Sequence, residues 1–341
     1  MQIKRIISVI IALVLICLTC VACNSEKKED AASGSSSAVS ETEKFKLTHA
    51  DSVVKFDNET DVVICWGDSL TQGMSMAPGY TYPQQLQGNI KGQFKVINAG
   101  VPGETSNAIS SRANVIDTVL TNDITFEKGK NSVDLDREFL STANGEVITY
   151  KGFGNDLALD KIIIGGETFD IIFKKGTSWD EGIYTLVRKS TDVKLTLKKG
   201  TAIKFDYSLK YKTVYCNVIL MGANDSGVSV DELINRYKTL GGTSDKNIYI
   251  IPYYTEENVA EKFKAAFGDN ALDMREYYIN HAHKDYDLEV TKLDEWCIKK
   301  GKVPATFCLE NDKNDCHLSS IGYKVMADQV YKKGVKLGFW K

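Results

Sequence analysis

The sequence predicts an α/β fold: a three-layer α/β/α domain on a parallel sheet, interrupted by an inserted antiparallel β module. Three observations carry this. Four apolar runs rich in β-branched residues each end in a turn, and unbroken runs of that kind suit strands covered on both faces. Helix-like segments with capping residues alternate with those runs, as in a sheet whose strands are joined by crossover helices. Between about Thr118 and Lys212 the pattern changes to period-two segments separated by Gly-Gly, Lys-Gly and Ser-Thr-Asp breaks, which reads as a series of hairpins.

Taken in order, the chain opens with Lys4 and Arg5 ahead of an apolar run from Ile6 to about Ala22, closing on Cys20-Val21-Ala22-Cys23. A basic start, an apolar stretch and a small residue before a cysteine resemble a bacterial lipoprotein signal. That implies a signal over 1–23, cleavage before Cys23 and lipid on its thiol. The alternative is an uncleaved membrane helix, since the run lies near the lower edge of the roughly 17 to 25 residues a span needs. Either way the positive residues stay inside and Asn24 onward lies outside the cell membrane. Residues 24–44 are mostly Ser, Glu, Lys, Ala and Gly; with little to bury they cannot offset their ordering entropy and read as a flexible tether. The α/β domain is then 45–117 together with 213–341, and the inserted β-rich module is 118–212.

Within the α/β domain, DVVICW (Asp61 to Trp66) leads into Gly67-Asp68-Ser69, and FKVINAG (Phe94 to Gly100) into Val101-Pro102-Gly103. TVYCNVILMG (Thr213 to Gly222) leads into Ala223-Asn224-Asp225, and NIYIIPYY (Asn247 to Tyr254) into a Glu-rich helix start. Helices are expected over Ser229 to Leu240, with Ser229 as N-cap, and over Ser319 to Gly338.

Composition excludes several function classes. At 341 residues, 43% hydrophobic and 26% charged, the chain can build one large domain with an elaboration. The net charge of -3 is spread over both signs with no basic block, so nucleic acid is not an expected partner. No phosphate-cradling loop or dinucleotide fingerprint occurs, and no cofactor is expected. His281 and His283 lack a clear third ligand, so no metal is expected either. After Cys23 come Cys65, Cys216, Cys297, Cys308 and Cys316. The first two sit in apolar runs and read as core residues; one disulfide among the last three is as compatible with the spacing as none.

Ligands of parallel α/β sheets collect at the carboxyl ends of the strands, and three such ends carry groups suited to acyl transfer. Ser69 can attack a carbonyl, Gly103 can offer an unobstructed backbone N–H, and Asn224 an amide N–H to a tetrahedral oxyanion. His317, just ahead of the last helix, is placed to be the base.

These blocks resemble the SGNH, or GDSL, hydrolase family. GDSLTQG (Gly67 to Gly73), NAGVPGETS (Asn98 to Ser106), GAND (Gly222 to Asp225) and HLSSIGY (His317 to Tyr323) look like its first, second, third and fifth blocks in order, and YPQQL (Tyr82 to Leu86) also fits. The resemblance covers about Asp61 to Arg112 and Thr213 to Lys341; the β insertion lies outside it. It implies a flavodoxin-like sheet, Ser69 as nucleophile, an oxyanion hole from Gly103, Asn224 and the Ser69 N–H, and His317 as base and then acid. One departure stands: the family places Asp three residues before the histidine, where this chain has Asn314, while Asp315 lies two before it. Either Asp315 orients His317 through a loop shifted by one residue, or Asn314 holds that place and the enzyme is feeble or works as a Ser-His dyad with a backbone carbonyl orienting the ring.

The resemblance and the N-terminus together imply a lipid-anchored, extracytoplasmic esterase whose substrate is an ester, with an acetylated glycan of polysaccharide or peptidoglycan as the candidate. Trp179, Tyr184 and Tyr150 of the insertion could stack on sugar rings or fill the module's own core. The competing reading is a non-catalytic glycan-binding lipoprotein on the same scaffold.

Overall fold

The first apolar run forms strand β1 (Asp61–Gly67), buried from Val62 to Gly67 as a strand covered on both faces should be. The computed structural model describes residues 61–149, 161–175, 182–206, 211, 213–255, 257–315 and 317–341. Cys23 and the residues read as signal and tether, with Tyr150, Trp179 and Cys316, lie outside them. After β1 come α1 (Ser69–Gln72), α2 (Tyr82–Ile90), β2 (Lys95–Gly100) and α3 (Ser106–Arg112). Short strands follow: β3 (Thr118–Leu120), β4 (Ile124–Phe126), β5 (Ser132–Leu135), β6 (Leu140–Thr142), β7 (Val147–Ile148) and β8 (Lys161–Ile164), then β9 (Glu167–Lys175), β10 (Gly182–Val187), β11 (Leu195–Leu197) and β12 (Ala202–Phe205). The chain resumes with β13 (Thr213–Leu220), α4 (Val230–Gly241), β14 (Asn247–Ile250), α5 (Glu257–Phe267) and β15 (Ala271–Leu272). It ends with α6 (Met274–Asn280), α7 (Ala282–Asp285), α8 (Lys292–Lys299) and α9 (Ser320–Lys336).

The fold is mixed α/β with a parallel sheet and a separate antiparallel sheet. The parallel sheet runs β2-β1-β13-β14-β15, every neighbouring pair parallel. Counted along the chain within this sheet the order is 2-1-3-4-5, and it reverses between β1 and β13. Such a switch point opens a crevice at the carboxyl ends of the strands. Val62, Ile64 and Trp66 of β1 share a core with Ile109 of α3, Leu233, Ile234 and Tyr237 of α4, and Phe263 of α5. Cys65 has the opposite parity on the strand, and there it meets the Tyr82 hydroxyl of α2.

Helix starts follow the sequence closely. Thr81 and Gln84 form a capping box on α2 with Pro83 in its first turn, and Ser229 and Ser319 accept from Glu232 and Gly322 at the starts of α4 and α9. Each such cap contributes about 1 kcal/mol.

The second sheet lies wholly between Thr118 and Phe205, in the order β5-β10-β9-β8-β12-β3-β6-β7, with β4 and β11 paired beside it. Its paired strands are antiparallel, and Gly165-Gly166 joins β8 to β9 as the hairpin pattern expects. Phe126, Phe169, Tyr184, Leu186 and Phe205 fill its core, and Ala108 of α3 belongs to the same cluster. Both sheets lie in one compact unit, Thr48–Lys341. Tyr184 is 1% exposed, so the sugar-stacking role considered for it is ruled out: its ring packs near Phe139 inside the module.

Cys65, Cys216 and Cys297 are free thiols, so Cys297 takes no part in the C-terminal staple the spacing allowed. Among the described residues no helix is long and apolar enough to cross a membrane.

Candidate active site

The ends of β1, β2 and β13 lie side by side, because Gly67 pairs with Gly100 on one side and with Leu220 on the other. The three blocks that follow those strands therefore converge. Directly after β1 the chain turns into α1, whose N-cap is Asp68: its Oδ1 accepts the Leu70 N–H at 2.9 Å. Gly67 is needed for closeness, since a Cβ there would sit 2.1 Å from Thr71 Oγ1 and 2.4 Å from the Leu220 carbonyl oxygen. Ser69 opens the helix and is 8% exposed.

After β2, Val101 to Glu104 form a turn closed by Glu104 N–H to Val101 O at 3.2 Å. Gly103 sits in it at φ +75°. Pro followed by a positive-φ Gly is the requirement of a type II turn, and any side chain at 103 would be strained. Behind the turn, Glu104 and Arg112 make a buried ion pair, each 1% exposed, with Nη2 to Oε2 at 2.7 Å. Arg112 Nη2 also donates to the Ala99 carbonyl at 2.7 Å. Burial pushes the Glu104 carboxyl up, and the guanidinium partly offsets it.

After β13, Asn224 Nδ2 donates to the Glu104 carbonyl at 3.0 Å. That fixes the amide plane with one N–H, and an amide carries a second. Asp225 next to it accepts the Ser106 N–H at 2.8 Å and the Ser106 hydroxyl at 2.6 Å, tying the loop after β13 to the start of α3.

The fourth block arrives from the C-terminus. Cys308 and Leu318 form an isolated antiparallel bridge, with Leu309 N–H on the His317 carbonyl at 2.8 Å and Ser319 N–H on that of Phe307 at 2.9 Å. This pairing holds His317 just before the capped start of α9. Its Nε2 lies 2.8 Å from Ser69 Oγ and its Nδ1 2.6 Å from Asp315 Oδ1. Asp315 Oδ1 also accepts the backbone N–H of His317 at 2.8 Å. Asn314 does not meet the imidazole: its N–H is on Asp312 Oδ1 at 2.9 Å, and it borders a cavity of about 150 Å³ together with Arg275, Lys302 and Lys313.

Ser69, His317 and Asp315 are thus in a continuous hydrogen-bonded line, and Gly103 and Asn224 follow strands adjacent to the one that carries Ser69. With Nδ1–H donated to the carboxylate, Nε2 presents its lone pair to the serine hydroxyl, which is what a general base needs. The two other histidines weighed as ligands are elsewhere and apart in role: His281 Nε2 lies 3.2 Å from Glu276, and His283 is buried against Phe307 with Nε2 3.4 Å from Asp294. No group of three potential metal ligands occurs among the described residues.

Glu104, Arg112, Ser106 and Asp225 escaped the sequence reading. The signal for the first two was present: an acid and an arginine eight residues apart, bracketing a Thr-capped helix. Glu104→Gln removes one charge of this buried pair, which costs about 3–5 kcal/mol. Urea denaturation measures this; a loss below about 1 kcal/mol would mean that water reaches the guanidinium.

Asp68 titrates in an unusual range. Burial raises its pKa from 3.8 to about 7, with the Leu70 and Ala223 N–H groups opposing and the Glu104 and Asp225 carboxylates adding to the rise. Its Oδ2 has no hydrogen-bond partner. The folded state therefore holds this proton more tightly than the unfolded chain. The stability it confers is complete below pH about 4 and is lost as pH rises through about 7. The full effect is on the order of 4 kcal/mol. Asp68→Asn keeps an acceptor for Leu70 and cannot ionise, so its urea midpoint should lose the portion of the pH 5 to 8 decline that wild type owes to this group. Parallel profiles in the two proteins would contradict the assignment.

No known protein family matches the chain, and no curated protein matches it. Among solved structures the chain is similar to a provisionally assigned lipolytic protein of the G-D-S-L family from Desulfitobacterium hafniense, at 13% identity and a TM-score of 0.39, over 80% of this chain and 99% of that one. A likeness of that size says nothing about this chain's chemistry, which its own residues have to carry.

Proposed function

We propose that the protein is a metal-independent serine esterase of the SGNH type, with the three-layer arrangement of that fold around its parallel sheet. The observation that carries this is the line from Ser69 Oγ through His317 to Asp315, at 2.8 and 2.6 Å. Ser69 Oγ attacks the ester carbonyl while His317 Nε2 takes its proton. The oxyanion is held by the Ser69 and Gly103 N–H groups and the Asn224 amide, each worth about 3 kcal/mol by analogy with donor-removal experiments. Nε2 returns the proton to the departing alcohol, leaving an acyl-enzyme. Water then gives a proton to Nε2 and its oxygen to the acyl carbon, and the acid leaves as Ser69 recovers its hydrogen.

In our reading the enzyme works outside the cytoplasm, lipid-anchored through Cys23, on O-acetylated carbohydrate or peptidoglycan. The N-terminal pattern and the family resemblance support this choice of substrate. The alternative, a non-catalytic glycan-binding lipoprotein, drew on Asn314 standing in the acid's place; a carboxylate bonded to Nδ1 weighs against it. The test is labelling by a fluorophosphonate, mapped by mass spectrometry, alongside acetate release from O-acetylated glycans and cleavage of medium-chain acyl esters. Label on Ser69 with acetate release supports the proposal. Cleavage of medium-chain esters with no acetate release removes the carbohydrate substrate, and absence of label on Ser69 removes the esterase.

A further inference from the structure

The strongest unassigned feature is a polar cup of about 380 Å³ where α3, α4 and the β6–β7 turn meet, within the range of roughly 300–1,000 Å³ that small-molecule sites occupy. Its floor is made by Asn107 and Ser110 of α3, 8% and 0% exposed. Asn107 Nδ2 and Ser110 Oγ have no hydrogen-bond partner. Buried polar groups are normally satisfied, and leaving one unmade costs about 1–3 kcal/mol, so two together in one floor call for a ligand or water. The wall includes Arg236 of α4, whose Nε donates to Glu232 at 3.1 Å and Nη1 to Ser106 at 2.9 Å. Its Nη2 stands 3.7 Å from Glu146 of the β6–β7 turn, too far for a direct hydrogen bond. Asn235 and Asn144 stand on the exposed rim.

The lining selects a chemistry. Asp117, Glu146 and Glu232 outnumber the single cation Arg236, which disfavours phosphate or carboxylate ligands. Among the described residues that line it, Ile116 and Ala143 are the hydrocarbon side chains, too little for an acyl chain. Amides, hydroxyls and carboxylates interleaved with one guanidinium suit a ligand whose groups both donate and accept. We infer that this cup binds a hydroxyl-rich ligand, a single neutral sugar unit, at the junction of the β module with α3 and α4. With no aromatic ring among the described residues that line it, the site relies on hydrogen bonds and binds weakly. It is separate from the ester-cleaving residues, although Arg236, Ser106 and Asp225 link it by hydrogen bonds to the residue beside Asn224.

The experiment is saturation-transfer NMR on the full chain carrying Ser69→Ala, in a sugar-free detergent, with methyl glucoside, N-acetylglucosamine and glucuronate as probes. Ser69→Ala prevents turnover but leaves the cup intact, so failure of the esterase reading and failure of this one are separate results. Saturation transfer to at least one neutral sugar, with glucuronate weaker, is expected. Ser110→Ala, which removes an unpartnered hydroxyl and should not lower the melting temperature, and Asn235→Ala on the rim should each weaken binding about tenfold. The inference is overturned if neither neutral sugar receives saturation, if glucuronate binds best, or if the Ser110→Ala/Asn235→Ala double variant binds as well as its parent. In the first and last cases the cup holds water alone.

Discussion

Ser69→Ala is expected to lower the turnover of p-nitrophenyl acetate by about 10⁶, the scale on which a serine hydrolase loses rate when its nucleophile is removed. The substitution deletes one oxygen and leaves the rest of the site in place, because the start of α1 depends on Asp68 and not on the serine. Folding should therefore be unchanged by circular dichroism and melting temperature. The proposed oxyanion donors are backbone groups and the Asn224 amide, none of which is altered, so a residual rate of about 10³ to 10⁴ over water is expected to persist. That floor gives the measurement its power. A fall to the floor identifies covalent catalysis at Ser69, whereas a loss of tenfold or less would place the chemistry on another residue. If wild type and variant are equally inert on this ester and on acetylated glycans, the site is a hydrolase scaffold used for binding.

The fold was legible wherever local patterning and burial agree. The four apolar runs are strands of the parallel sheet: β1 is buried on both faces and leaves an unbroken apolar record, while β2 at the sheet edge is half-buried until Ala99. Ser229 and Ser319 cap helices because the serine side chain has one dominant use at that position. The antiparallel character of the second sheet was also readable from its turn residues. What sequence withheld was parity and pairing. Strand β10 has apolar or aromatic residues of both parities: Tyr184 and Leu186 face inward, while Ile183 is 51% exposed. A one-residue slip would exchange them, so a stacking role for Tyr184 could not be dismissed beforehand. Ser106 and Asp225, 119 residues apart, join segments by side-chain geometry that no local rule encodes, whereas the spacing of Glu104 and Arg112 around a capped helix start was there to be read. In the same way, the choice between Asn314 and Asp315 depended on how the chain between Asp312 and His317 turns.

That turn leads to the second large effect. Asp315→Asn should cost about 10⁴ in turnover, by analogy with the same change in a serine protease triad, and Asn314→Ala should cost little. In the folded protein a single oxygen, Asp315 Oδ1, accepts both the backbone N–H and the ring Nδ1–H of His317. The backbone contact sets the carboxylate's position and the ring contact sets the tautomer, so the carboxylate is held to its task by the residue that it orients. An asparagine can satisfy the backbone N–H with its carbonyl oxygen and then turn its amide N–H₂ toward Nδ1. The imidazole would answer by carrying its proton on Nε2, facing Ser69 with a donor where an acceptor is required. Nitrogen-15 NMR of the imidazole reads this directly: wild type should show the Nδ1–H form and Asp315→Asn a shift toward Nε2–H, while KM changes far less than kcat. Asn314, with its backbone on Asp312 and its place beside the basic cavity, has no route to the tautomer, so Asn314→Ala should leave the nitrogen spectrum as it was. Should Asn314→Ala prove the more damaging of the two, the carboxylate of Asp315 would be a loop-forming group, and the orienting role would pass to its neighbour.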